Sequence, residues 1–112
     1  MDMDQELAKI LQETEDSVRN MDDLDQVMKK YGYLPIAKLA FPYRLGGIVA
    51  ENESGLYRWH LYRQEEENEA LKFICQGVVA SVQGAHEMLM ETAGMWCRYF
   101  ETIFKKELEQ EM

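Results

Sequence analysis

From Leu71 to Phe104, apolar side chains return at steps of three and four: Leu71, Ile74, Val78, Val82, Ala85, Leu89, Ala93, Trp96, Phe100, Ile103 and Phe104. That spacing traces one face of a 3.6-residue helix, and its phase survives Gly77, Gly84 and Gly94. A glycine inside a helix costs about 0.5–1 kcal/mol relative to alanine, so three of them weaken a helix without ending it. Glu65, Glu66 and Glu67 stand at one end and Lys105 and Lys106 near the other, the order a helix dipole prefers. The pattern predicts one long helix over residues 65–110, with any bend at Gly84 or Gly94.

Length then becomes the constraint. Such a helix holds 46 residues (65 to 110) and would run about 69 Å, roughly twice the diameter of a small domain. Its own subunit could not shelter all of it. Leu89, Trp96, Phe100, Ile103 and Phe104 are therefore expected to form the interface of a homodimer.

Residues 1–31 read as two N-terminal helices. The first, near 3–19, carries Leu7, Ile10, Leu11 and Val18. The second, near 22–31, carries Leu24, Val27 and Met28, with Asn20 or Asp22 as its cap and Gly32 past its end. Residues 32–64 form a turn and hairpin segment. Pro35 can open a short helix over Ile36–Ala40, which Phe41 and Pro42 end. For residues 48–63 the preferred reading is a β-hairpin turning through Asn52, Glu53, Ser54 and Gly55. Its second strand would place Tyr57, Trp59 and Leu61 on one face and Arg58, His60 and Tyr62 on the other. The competing reading runs helix onward from Leu56. The fold class expected for this single domain is mainly α: a helical bundle dominated by the long C-terminal helix, with room for one small hairpin.

Composition narrows the function. The 112 residues carry a formal charge of −9, yet 46% are hydrophobic and 11% aromatic, which excludes a disordered acidic tail. No apolar run approaches the roughly 20 residues of a membrane span and no charged-then-apolar leader opens the chain, so a soluble, cytoplasmic protein is expected. A sequence pI near 4.6 disfavours direct nucleic-acid binding, which needs clustered Lys and Arg. Cys75 and Cys97 lack C-x-x-C spacing and read as small buried hydrophobes in a reducing compartment. If both lay on one helix they would stand far beyond disulfide reach.

No catalytic, cofactor or metal constellation emerges. His86-Glu87 begins what could be a metal helix, but Met90 occupies the position of the second histidine and Gln83 that of a ferritin-type glutamate. His60 could act as a base in principle, but nothing in sequence orients it or supplies a nucleophile. Gly46-Gly47 is too short to be a phosphate loop. Met88, Met90 and Met95 read as core filling.

Two surfaces remain. Charge divides the chain into acidic flanks of −5 (residues 1–30) and −6 (65–112) around a middle of +2 that holds seven of the twelve aromatics. Arg44, Tyr57, Arg58, Trp59, Tyr62 and Arg63 have the composition of a protein-binding hot spot. Asp2, Glu6, Glu13 and Asp16, with Glu87, Glu91 and Glu101 later, could form an acidic surface that mimics nucleic-acid phosphates. The expected function is a small non-enzymatic protein-binding protein, an inhibitor or adaptor of phage or mobile-element type. Its expected partner is a nucleic-acid-processing protein. The alternative is a DNA-binding regulator built on a helix-turn-helix outline over residues 24–44, in which Lys38 is the one base on the second helix.

Overall fold

A computed structural model describes residues 18–67 and 69–111, with side chains as far as 108. Helix α1 (Met21–Lys30) leads into strands β1 (Leu34–Ala40), β2 (Leu45–Glu51), β3 (Tyr57–Arg63) and β4 (Lys72–Val79), and helix α2 (Val82–Glu111) follows. The four strands pair antiparallel in the order β1-β2-β3-β4. This α+β architecture corrects the mainly α bundle expected from the sequence. The helix expected over 3–19 lies outside the described residues except for its last two, Val18 and Arg19.

Helix α1 forms as its caps dictate. Asn20 holds an extended backbone and its side chain accepts from the Asp23 amide at 2.9 Å, satisfying one orphan donor. At the other end Gly32 takes φ +85° while the Tyr33 and Gly32 amides return to Met28 and Lys29, a glycine-terminated close. The expected short helix over Ile36–Ala40 is instead β1. Pro35 donates nothing to a ladder, and it sits where it does least harm, on an edge strand whose register slips between Pro35 and Ala37.

The hairpin over 48–63 is present as β2 and β3. Asn52 closes its turn: the Asn52 side chain accepts from the Ser54 and Leu56 amides at 3.0 and 2.9 Å, and Gly55 supplies φ +80°. The β1–β2 turn carries no such signature. Tyr43 and Arg44 both stand at φ 62°, a left-handed conformation that costs about 1–2 kcal/mol per residue. Tertiary contacts offset it: Tyr43 stacks on Phe104 at 5.6 Å, its carbonyl accepts from Arg63 Nε at 3.0 Å, and Arg44 Nε donates to the Gln64 carbonyl at 2.6 Å.

The long helix expected over 65–110 breaks. Its first part is β4, and α2 starts only after Ser81, whose hydroxyl caps the Gly84 amide at 3.0 Å. The chain folds back there and lays α2 across one face of the sheet. Leu45, Val49, Trp59, Leu61, Ala85, Leu89 and Ala93 form the core between them. On the opposite face α1 covers a second core of Val18, Leu24, Met28, Tyr33, Ile48, Ala50 and Leu71. Close approach is built into the α2 side: a Cβ on Gly77 would fall 2.6 Å from the Trp59 indole nitrogen.

Candidate functional site

The parity expected for β3 holds, and it divides the arginine and aromatic cluster. Tyr57, Trp59 and Arg63 face α2, whereas Arg58 and Tyr62 face the α1 side. Arg58 and Trp59 are almost fully buried, Tyr57, Tyr62 and Arg63 are half-buried, and Arg44 is exposed. The six do not make one patch. Arg63 lies over the Phe100 ring at 4.5 Å and pairs with Glu65 at 3.3 Å, so its charge is spent fastening β3 to α2.

On the α1 side two strand residues form a polar knot. Arg58 Nε donates to His60 Nε2 at 2.9 Å, and Arg58 lies 5.8 Å from the Tyr33 ring. An imidazole that accepts at Nε2 is neutral and carries its proton on Nδ1. Burial, and then the Arg58 charge, lowers the His60 pKa from 6.5 to about 3. His60 is fully buried, and its Nδ1, like the Tyr33 hydroxyl, has no hydrogen-bond partner among the described residues. A base sealed from solvent and held neutral cannot exchange protons with a substrate. Tyr62, raised by burial, donates to Met21 Sδ at 3.4 Å and stays a neutral phenol.

The helix-turn-helix outline is not formed. Residues 24–30 are helical, but the recognition helix is replaced by edge strand β1, and Lys38 there is paired with Asp25 of α1 at 2.8 Å. Among the described residues no group of three or more His, Cys, Asp or Glu is placed to hold a metal. Among the described residues no helix is long and apolar enough to cross a membrane. Cys75 and Cys97 are unpaired and half-buried against the same core. A fold-back of the C-terminal segment, the condition for the two to approach, brings them to one core.

What remains open is the outer face of α2. Thirty residues at 1.5 Å each make it about 45 Å long, against about 23 Å for a seven-residue strand. It therefore overhangs the sheet. The expected dimer residues point inward: Leu89 is fully buried, Trp96 and Phe100 pack on the sheet core, and Ile103 and Phe104 are half-buried, Phe104 between Phe100 and Tyr43. Their length-based case for self-association is thus removed.

The methionines read as core filling are outside instead. Met88 is 44% exposed, Met95 57% and Tyr99 54%, and Met90 and Leu108 are exposed on another side. At about 100° per residue, Met88, Thr92, Met95 and Tyr99 fall within an arc of about 60° and form one seam. Beside the seam run exposed Glu87 and Glu91, then Arg98 and Lys105, with Glu101 further round. Of the acidic residues expected to form a surface, Glu87, Glu91 and Glu101 do share the outer side of α2. Asp2, Glu6, Glu13 and Asp16 lie outside the described residues. The sequence reading missed Tyr99 as an exposed group and Thr92 as a half-buried one beside it. Their signal was angular: at about 100° per residue Thr92 stands about 60° and Tyr99 about 80° from Leu89, at the centre of the buried stripe of Ala85, Leu89 and Ala93. No protein-family profile matches this chain, and no curated protein or solved structure does either.

Proposed function

We propose that this chain is a small non-catalytic protein-binding protein, of inhibitor or adaptor type, whose working surface is the outer face of α2. One observation carries the reading: Met88, Met95 and Tyr99 stand exposed in a single row along α2. Unbranched methionine side chains adapt to a partner's relief, and tyrosine adds rigid amphipathic area, the mixture that protein interfaces favour. The arginine and aromatic residues of β3 contribute to this surface indirectly, by anchoring α2 through Arg63 and Trp59. Arg98 and Lys105 interrupt the row of acids, which favours a mixed apolar and charged docking face over phosphate mimicry. A cytoplasmic setting is consistent with two unpaired cysteines in one core.

Site-specific photo-crosslinking tests this. A photoreactive side chain at Met95 should form a covalent protein adduct in cells, while one at Ser54, at the hairpin tip, should not. Equal adducts from both positions, or none from Met95, would contradict the reading.

A further inference from the structure

The outer seam of α2 is complementary to itself. We infer that its occupant is a second copy of this chain, docked antiparallel, helix against helix. This inference rests on the reading of that face as a docking surface and names its partner. Met88, Thr92, Met95 and Tyr99 follow one another at steps of four, three and four, the spacing that keeps a seam facing a neighbouring helix. Turned end for end about the midpoint of 92 and 95, the seam meets itself in layers. Met88 lies opposite Tyr99 of the second copy, and Thr92 lies opposite its Met95, so a small side chain faces a large one in the central layers.

Charge selects the direction. Along the flank of the seam the first half of the helix carries Glu87 and Glu91 and the second half carries Arg98 and Lys105. A two-fold axis across the helix keeps each flank beside the same flank of the second copy. In the antiparallel register Arg98 of the second copy comes level with position 89, midway between Glu87 and Glu91. In a parallel pair the two-fold would run along the helices and set this flank beside the opposite, apolar one, so that neither Glu91 nor Arg98 would meet an opposite charge across the seam. Among the described residues neither Glu91 nor Arg98 has an ion-pair partner within its own subunit, so both are available to a neighbour. The seam is short, and it covers less than the ~800 Å² per partner of a standard interface. Half-dissociation in the micromolar range is expected.

Sedimentation equilibrium of the full chain decides it. The wild type should approach twice 13.2 kDa as concentration rises. Met95→Glu, which buries a carboxylate in the seam, should remain at 13.2 kDa with an unchanged circular dichroism spectrum. Arg98→Glu should raise the dissociation constant about tenfold, and adding Glu91→Arg should restore it, since two copies of each contact are reversed and then repaired. Rescue by the double change cannot come from misfolding, because both side chains are exposed. A mass of 13.2 kDa at every concentration would overturn the inference, as would a dimer indifferent to Met95→Glu. If the mass stayed at 13.2 kDa while Met95 still crosslinked to a different polypeptide, the inference would fail and the docking reading would stand.

Discussion

The two faces of the sheet are filled by different chemistry. Under α2 the packing is apolar, with Leu45, Val49, Trp59 and Leu61 of the sheet meeting Ala85, Leu89 and Ala93 of the helix. Under α1 the apolar cluster of Leu24, Met28 and Ile48 lies on the face that also buries a cation and an imidazole, Arg58 and His60. An apolar layer fixes α2 by volume and close approach. A polar knot is stable only while its protonation and hydrogen bonds hold. The α2 side is therefore the rigid platform, and the outer surface it carries can be held in place for a partner.

Changes of volume should hurt most on the α2 side. Leu89→Ala should cost about 3 kcal/mol in urea unfolding, the usual scale for a fully buried leucine whose cavity cannot collapse. A loss below about 1 kcal/mol would mean that α2 is not locked onto the sheet. Changes of pH should act on the α1 side. The His60 pKa is about 3 in the folded chain against 6.5 ordinarily, so as pH falls the unfolded chain takes up the proton first. The stability contribution is full above pH 6.5 and is lost progressively from 6.5 toward about 3. By pH 5 that amounts to about 2 kcal/mol. His60→Gln, which can still accept from Arg58, should remove this component from a comparison of urea midpoints at pH 7 and pH 5. An unchanged difference would contradict the buried, neutral state.

A smaller test returns to the α2 side. Gly77→Ala drives a methyl into the Trp59 indole and should cost about 2 kcal/mol by thermal unfolding, with a shift in indole fluorescence. On the α1 side Asn20→Ala should cost about 1 kcal/mol through loss of the helix cap, measured the same way. These magnitudes rank the faces, and a reversal of the first and last would reverse the assignment of platform and knot.

Where the sequence was informative, a local signal agreed with the tertiary outcome. Asn20, Gly32 and the Asn52–Gly55 turn marked α1 and the β2–β3 hairpin because their capping and turn chemistry is local. The parity of β3 followed from the two-residue period alone. The C-terminal third misled because Leu71, Ile74 and Val78 belong to a strand region whose spacing happens to continue the phase of Val82, Ala85 and Leu89. The counter-signals were present: β-branched Ile74, Val78 and Val79 before the break, and a capping Ser81 at it. The β1–β2 turn was not legible at all, since Tyr43 and Arg44 reach φ 62° through contacts made by Arg63, Gln64 and Phe104, residues distant in the chain. The proposed docking face was half legible. Glu87, Glu91 and Glu101 were placed together by spacing, while Met95 and Tyr99 fall off the apolar stripe at helical spacing, a signal that the core-filling reading of the methionines passed over.

Self-association along α2 can be measured as a distance. A spin label at position 83, attached through Gln83→Cys in a Cys75→Ser/Cys97→Ser background, lies 10.5 residues from the midpoint of 92 and 95. Two antiparallel copies then offset their labels by 21 residues of helical rise, about 32 Å along the axis, and by the ~10 Å between packed helices across it, at least about 33 Å in all. Pulsed dipolar spectroscopy at high protein concentration should return a distance near that value. A distance well below about 30 Å, as level labels on a parallel pair would give, or no dipolar coupling at all, would contradict the account.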